Sequence, residues 1–524
     1  MKSHHPENHV RTAVISRWRT WFFRLMSIML GLSVFVFIEF VCFICGWGES
    51  RLGDDPLVGF ASVRPLFEVT TDNHQFHTSP ARRGYFKEVA FRVEKADSEF
   101  RIFVFGGSTV QGNPYSIETS FPTYLQIALE KADASRHWNV INCGGVSYAS
   151  HRLLPVMREC LNYEPDLFMF CGGHNQFLEH ISFGDVQTSS RITGPALSVL
   201  SRFRSFRILQ RTLKGDTSQV SVGSRAVLPV EVQTMLDQPD GLEKYHRDDP
   251  LADMIAESFA TDLQSMSAMT QQHQVPLLFV LPPSNLGDCP PFKSEFSATT
   301  TPEIPAEIRS LLTKSQTLVT TDLSQAITLL KNATMKDPRY ALAWYELGQL
   351  QMAALDFTAA KISLQRARDE DVCSLRITTS LESAMQGVAE TSSVPLINAQ
   401  ELLTRRCRNG ICSDSILVDH VHPSFRGHED MAIAIAEWMF SAGFAKETDL
   451  TWKVTAVEEC RSRLLALDDL YFHRGQRALR SLRLWAAGRS HETPLVPVSE
   501  FTPDDSASKH EENLSEFKNI QTRK

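Results

Sequence analysis

Arg101-Ile102-Phe103-Val104-Phe105-Gly106-Gly107-Ser108 joins a run of bulky apolar residues to two glycines and a serine. A short apolar run without polar alternation reads as a strand buried on both faces. Similar runs return at Asn139–Ile141, Asp166–Phe170, Pro276–Leu281 and Val394–Ile397. Between the first three, Ser120–Ala132 and residues 151–162 have helical spacing, with Ser120 a candidate N-cap. Strands alternating with helices predict an α/β fold, a parallel sheet covered on both faces. Ligands of such sheets sit at the carboxyl ends of the strands. Ser108 is therefore expected at the mouth of a site.

Chemistry-bearing residues cluster at those strand ends. Gly106-Gly107-Ser108-Thr109-Val110-Gln111-Gly112 presents a hydroxyl among small residues that let backbone and ligand approach. A phosphate-binding loop is the alternative, but Gly-Lys-Ser/Thr is missing. Far downstream, Asp419-His420-Val421-His422 puts a carboxylate three positions before an imidazole. One loop can then hold the Nδ1–H and leave Nε2 to take a proton from a serine, which is a weak nucleophile without a base. Metal binding by His420, His422 and His428 is the rival, without HExxH or a cysteine pair at zinc spacing. Gly173-His174-Asn175 after the third strand offers an amide donor for an oxyanion. Asn142-Cys143-Gly144-Gly145-Val146-Ser147 after the second offers backbone N–H groups.

Taken together, the four blocks resemble the SGNH, or GDSL, hydrolase family over about residues 98–290 and 390–440. The resemblance implies a flavodoxin-like three-layer α/β/α sandwich and no cofactor or metal. It implies catalytic Ser108, Asp419 and His422, with Asn175, Gly145 and Ser147 at the oxyanion. Gly107 replaces the family's usual aspartate, and Gln176 stands where Asp or Glu is usual. The family's second-block glycine falls on Ser147. The expected activity is carboxylic ester hydrolysis through an acyl-enzyme, on a lipid, an acylated saccharide or a small ester, or transfer of the acyl group to a saccharide. A silent scaffold that binds partners through its helical repeat is the alternative.

The remainder of the 524 residues reads as additions to this core. Leu25–Trp47 is nearly all apolar, and about 34 Å of helix exceeds a hydrocarbon core of about 30 Å. Arginines precede it and Glu49, Asp54 and Asp55 follow. Residues 1–24 are thus expected in the cytoplasm, 25–47 across the membrane, and the catalytic part on the exported side. A cleaved signal peptide is the rival, though no small-x-small site follows. Glu39 is out of place in such a span, at a cost of about 2.5–3.5 kcal/mol. The hydrolase unit is expected in two parts, 95–315 and 373–445. They are separated by a tetratricopeptide-like insert at 320–372, where Trp344-Tyr-Glu-Leu347-Gly348 and the pairs Ala326/Ala360 and Ala333/Ala367 keep a period of about 34 residues. That small all-α unit is a structural insert or a docking site for a protein partner. Pro195–Lys214, apolar on one face and rich in arginine, is an interfacial helix, a lid or an ordinary packed helix. Cys407 and Cys412 flank an Arg-Asn-Gly turn and are either a disulfide or two thiols. One helix is expected at 455–488 and a disordered tail at 489–524. A net charge of −8 argues against nucleic-acid binding.

Overall fold

The structure, a computed structural model, describes residues 17–47, 65–184, 200, 203–214, 234–238 and 240–486. The tail at 489–524, residues 1–16 and residues 195–199 of the arginine-rich segment lie outside the described residues.

After helix α1 (Arg17–Ile44), strands β1 (Phe67–Val69), β2 (Gln75–Thr78) and β3 (Ala90–Arg92) form a small antiparallel sheet. The main sheet follows: β4 (Glu99–Gly106), β5 (His137–Gly144), β6 (Leu167–Cys171), β7 (Leu277–Leu281) and β8 (Leu396–Asn398), all parallel, in the order β5-β4-β6-β7-β8. Numbered along the chain this is 2-1-3-4-5, the flavodoxin-like order.

Strand alternation assigns the two helical layers. Ile102 and Val104 of β4 are fully buried on one face. They pack under α3 (Phe121–Ala132), α12 (Ala399–Thr404), α13 (Phe425–Ser441) and α14 (Trp452–Leu465). Phe103 and Phe105 are fully buried on the other. There they meet α4 (Ser150–Cys160), α6 (Asp249–Gln272), α11 (Thr379–Thr391) and the small sheet. The stretch 48–95, which the sequence left unread, thus contributes Phe67 and Phe91 to this core. Two short helices complete the description before the insert: α2 (Ser108–Gln111) at the end of β4, and α5 (Arg204–Lys214) within the arginine-rich segment.

Four helices separate β7 from α11: α7 (Glu303–Leu318), α8 (Leu323–Lys336), α9 (Ala341–Ala353) and α10 (Phe357–Asp369). The expected insert covered the last three; α7 joins them, because Ile308 and Leu312 share a core with Ala326, Leu330, Ala333 and Leu347. Small residues set the spacing. A β-carbon on Gly348 would lie 2.6 Å from Leu364 Cγ, so the Leu364 side chain of α10 sits directly against the α9 backbone. The unit is tied to the sheet domain by the Arg247–Glu370 and Arg339–Asp249 ion pairs, each at 2.6 Å, and by Leu364 packing on Leu286 and Ile411.

The expected helix at 455–488 is two helices. Leu464, Leu465 and Leu467 carry the apolar spacing across a break at which Asp468 accepts the Tyr471 N–H at 2.8 Å and starts α15 (Asp469–Ala486) anew. Cys407 and Cys412 are both buried thiols in this structure.

Two predictions follow from packing. Gly348→Leu is expected to destabilise the helical unit by about 1–3 kcal/mol through overpacking, read as a lower melting temperature; unchanged melting would contradict the α9–α10 contact. The second concerns His428 of α13, whose Nδ1 accepts the Phe121 N–H at 3.2 Å. Burial, reinforced by the charge of His422, pushes its pKa down to about 3. Below the unfolded value of about 6.5 the unfolded chain takes up a proton that the fold refuses. Stability should therefore fall as pH drops from about 6.5 towards 3, by at most about 1.4 kcal/mol per pH unit from this group. His428→Gln, which keeps an acceptor, should flatten that slope in urea titrations between pH 7 and 5.

Candidate active site

Ser108 opens α2 directly beyond β4, at the carboxyl end of a strand flanked by β5 and β6. Two glycines make this turn possible. A β-carbon at 106 would fall 2.2 Å from the Cys171 carbonyl oxygen, and one at 107 would fall 2.6 Å from Asn175 Nδ2. Only hydrogen at both positions lets the ends of β4 and β6 close together, and this brings Asn175 beside Ser108.

The segment after Leu417 supplies the other partners. The Asp419 Oδ1 atom accepts the N–H groups of Val421 at 2.9 Å and His422 at 2.8 Å. Its Oδ2 lies 2.7 Å from His422 Nδ1. A carboxylate only accepts, so Nδ1 carries the proton and Nε2 is left as an acceptor. Ser108 Oγ, 2.7 Å from Nε2, donates to it. Burial alone would raise the Asp419 pKa, yet the adjoining His422 and His420 and its hydrogen bonds hold it well below the ordinary carboxylate range. The result is a buried anion, a base with a fixed tautomer and a half-buried hydroxyl in one line.

The neighbouring histidines take other partners. His420 stands edge-on to Phe292 at 5.3 Å, and burial pushes its pKa down to about 4. Burial, then the charges of His420 and His422, holds His174 well below the imidazole range; its Nδ1 accepts the Ile377 N–H at 3.0 Å. Of the three histidines weighed as metal ligands, His420 and His422 both face Asp419 while His428 is engaged on Phe121, and among the described residues no cluster fit to hold a metal is found.

At the oxyanion side the expected residues divide. Asn175 Nδ2 donates one hydrogen to the Tyr148 carbonyl at 3.0 Å and keeps a second to give. The Gly145 N–H is already committed to the Gly106 carbonyl at 2.9 Å, so Gly145 is corrected from donor to strut. Ser147 sits at φ +58°, the left-handed region that favours glycine and where the family glycine was expected. Val146 N–H bonds the Tyr85 carbonyl, and Tyr148 N–H bonds that of Gly145, which leaves Ser147 N–H at the turn's apex. Tyr148 is clamped by the Arg152 guanidinium 3.7 Å above its ring and by Arg82 Nη2 at 3.2 Å from its hydroxyl.

Several supporting residues carried no sequence signal. Asn285, just after β7, bonds the Asp419 carbonyl at 3.1 Å and Asp414 at 2.7 Å, and its own N–H bonds the His420 carbonyl. Arg376 Nη1 holds the Asn285 carbonyl at 2.9 Å. α15 crosses the same region. Arg483 donates to the Val418 carbonyl at 2.8 Å, and Tyr471 hydroxyl meets Thr119 Oγ1 at 2.7 Å. Tyr115, Phe425 and Phe472 form an aromatic cluster between them.

No family model matches the chain, and no curated protein matches it. Solved structures similar to it include a lipase/acylhydrolase from Enterococcus faecalis, at 13% identity, 67% of this chain, 99% of that chain and a TM-score of 0.29. Another is a GDSL-like lipase from Bacteroides thetaiotaomicron, at 10% identity, 66% of this chain, 91% of that chain and a TM-score of 0.27. Likenesses of this size carry no inference about the site, for which the hydrogen-bond geometry stands by itself; they say only that, among solved structures, the chain is similar to GDSL-like hydrolases.

Proposed function

We propose that this chain is a membrane-anchored serine esterase of the SGNH type, with Ser108 as nucleophile, His422 as general base and Asp419 as the residue that orients and charges the base. The observation that carries this is the continuous hydrogen-bonded line Asp419 Oδ2–His422–Ser108 Oγ, with both links at 2.7 Å. A hydroxyl, an imidazole of fixed tautomer and a buried carboxylate in that order activate a serine.

In the proposed reaction Ser108 Oγ bonds to the ester carbonyl carbon while its proton passes to His422 Nε2. The carbonyl oxygen takes the negative charge and is met by Asn175 Nδ2–H and the N–H groups of Ser108 and Ser147. The tetrahedral species collapses, the alcohol leaves with the proton from His422, and an acyl group remains on Ser108. Water, giving its proton to His422, attacks the acyl carbon, and the acid leaves as His422 returns that proton to Ser108 Oγ; a saccharide hydroxyl in place of water would give a transferred ester. Asp419 stays ionised throughout and stabilises the imidazolium.

The anchor is α1. Trp21–Ile44 has the length and composition to cross a membrane, and its Leu25, Val36 and Phe37 side chains are exposed. Large apolar side chains exposed in sequence along a whole helix are stable only against a nonaqueous partner. With arginines before it, the anchor is proposed to place the hydrolase unit on the exported side.

Ser108→Ala is expected to abolish fluorophosphonate labelling and p-nitrophenyl acetate turnover. Asn175→Ala should lower kcat by about 10²–10³, and Asp419→Asn by about 10⁴. Equal turnover by Ser108→Ala and the parent protein would sink the assignment.

A further inference from the structure

Glu39, a carboxylate inside an otherwise apolar helix, has partners on a distant segment. Its Oε2 accepts the Arg204 N–H at 2.8 Å and its Oε1 accepts the Ser205 N–H at 2.7 Å, so it caps the first turn of α5. Around this cap the two helices are in contact. Phe203 stands edge-on to Phe35 at 4.9 Å, the Arg204 guanidinium lies over Phe43 at 5.2 Å, and Arg204 Nη1 reaches the Trp47 carbonyl at 3.4 Å. Glu39 is five residues before the end of α1, about 7.5 Å along the axis. An interfacial helix rests about 5–10 Å into the boundary between headgroups and acyl chains.

The composition of α5 suits that depth. Its sequence carries Arg204, Arg207, Arg211 and Lys214 and no acidic residue, against the grain of a chain whose net charge is −8. Leu209 is 53% exposed. A soluble packing partner would cover an apolar side chain of this kind; a lipid interface takes the apolar and the basic residues together.

We propose that α5 is a second membrane-contacting element, lying in the headgroup layer of an anionic leaflet where α1 emerges, with its first turn hydrogen-bonded to Glu39. This rests on α1 being the membrane span. Glu39 then stops being a flaw in the anchor: its charge is met at the border of the hydrocarbon by the backbone N–H groups of Arg204 and Ser205. The segment that leaves β6 is thereby fixed at the bilayer surface, which favours esters presented at a membrane.

The test uses the full chain in nanodiscs of phosphatidylcholine with or without phosphatidylglycerol, with a photo-crosslinking residue at Val36 or Leu209. Both positions are expected to crosslink to lipid. The Leu209 yield should fall at least about threefold without phosphatidylglycerol. It should fall similarly in Glu39→Leu, whose Val36 yield stays unchanged and shows an intact span. Lipid crosslinks at Val36 with none at Leu209 would overturn the proposal and leave the span standing. Equal Leu209 yields in both lipids would overturn the anionic preference. Absence of lipid crosslinks at Val36 would remove the span, and the proposal with it.

Discussion

The close approach of β4 and β6 at their carboxyl ends is the constraint on which the site depends. A single methyl group at residue 106 would collide with the Cys171 carbonyl and with Val110, and one at 107 would collide with Asn175. Because neither is present, the chain can turn from strand into α2 with no intervening loop. Ser108 then stands where the segments after β5 and β6 also end. The buried phenylalanines of β4 make that edge rigid. A close-packed interior resists displacement, so the serine's position is set by the core beneath it rather than by its own contacts.

Asp419 and His422 reach this end of the sheet from far along the chain, and they do so without a regular element of their own. The loop carrying Asp419 and His422 is held from behind by Asn285, from the side by Arg376 acting through Asn285, and from the front by Arg483. Each of these comes from a different part of the chain. The helical unit α7–α10 intervenes between Asn285 and Arg376 in sequence, and it returns the chain next to where it left, as the packing of Leu364 on Leu286 and Ile411 shows. An insertion of this kind leaves the Asp419–His422 loop undisturbed because its two ends are bonded to each other.

The legible parts of the sequence were those whose signal is local. Apolar runs such as Ile102–Phe105 announce buried strands, and Asp419-x-x-His422 announces its own hydrogen bond, because a single turn closes it. Ser147 was legible as a position, and its left-handed backbone gives the reason a glycine was expected there. Gly145 was misread because the donor it was expected to offer is spent on Gly106, a bond between segments that spacing cannot reveal. The small antiparallel sheet was unread because its strands are only three or four residues long, too short for an alternation to emerge. The break between α14 and α15 was hidden because leucines continue the helical period across it, while a single aspartate cap ends it.

Ser108, the Ser147 turn and Asn175 stand beyond the carboxyl ends of β4, β5 and β6, which are neighbours in the sheet order. Outside that sheet, the Tyr115 loop, the first turn of α13 and the helix α15 are joined by an aromatic cluster of Tyr115, Phe425, Tyr471 and Phe472. Tyr471 holds the loop that follows Ser108, and Arg483, on the same helix, holds the loop that carries His422. One helix is thus bonded to both loops and shares the aromatic cluster beside them. A change in α15 would therefore disturb both loops at once, the one after Ser108 and the one that carries His422, whereas a change at Gly106 or Gly107 would act directly on the turn at Ser108.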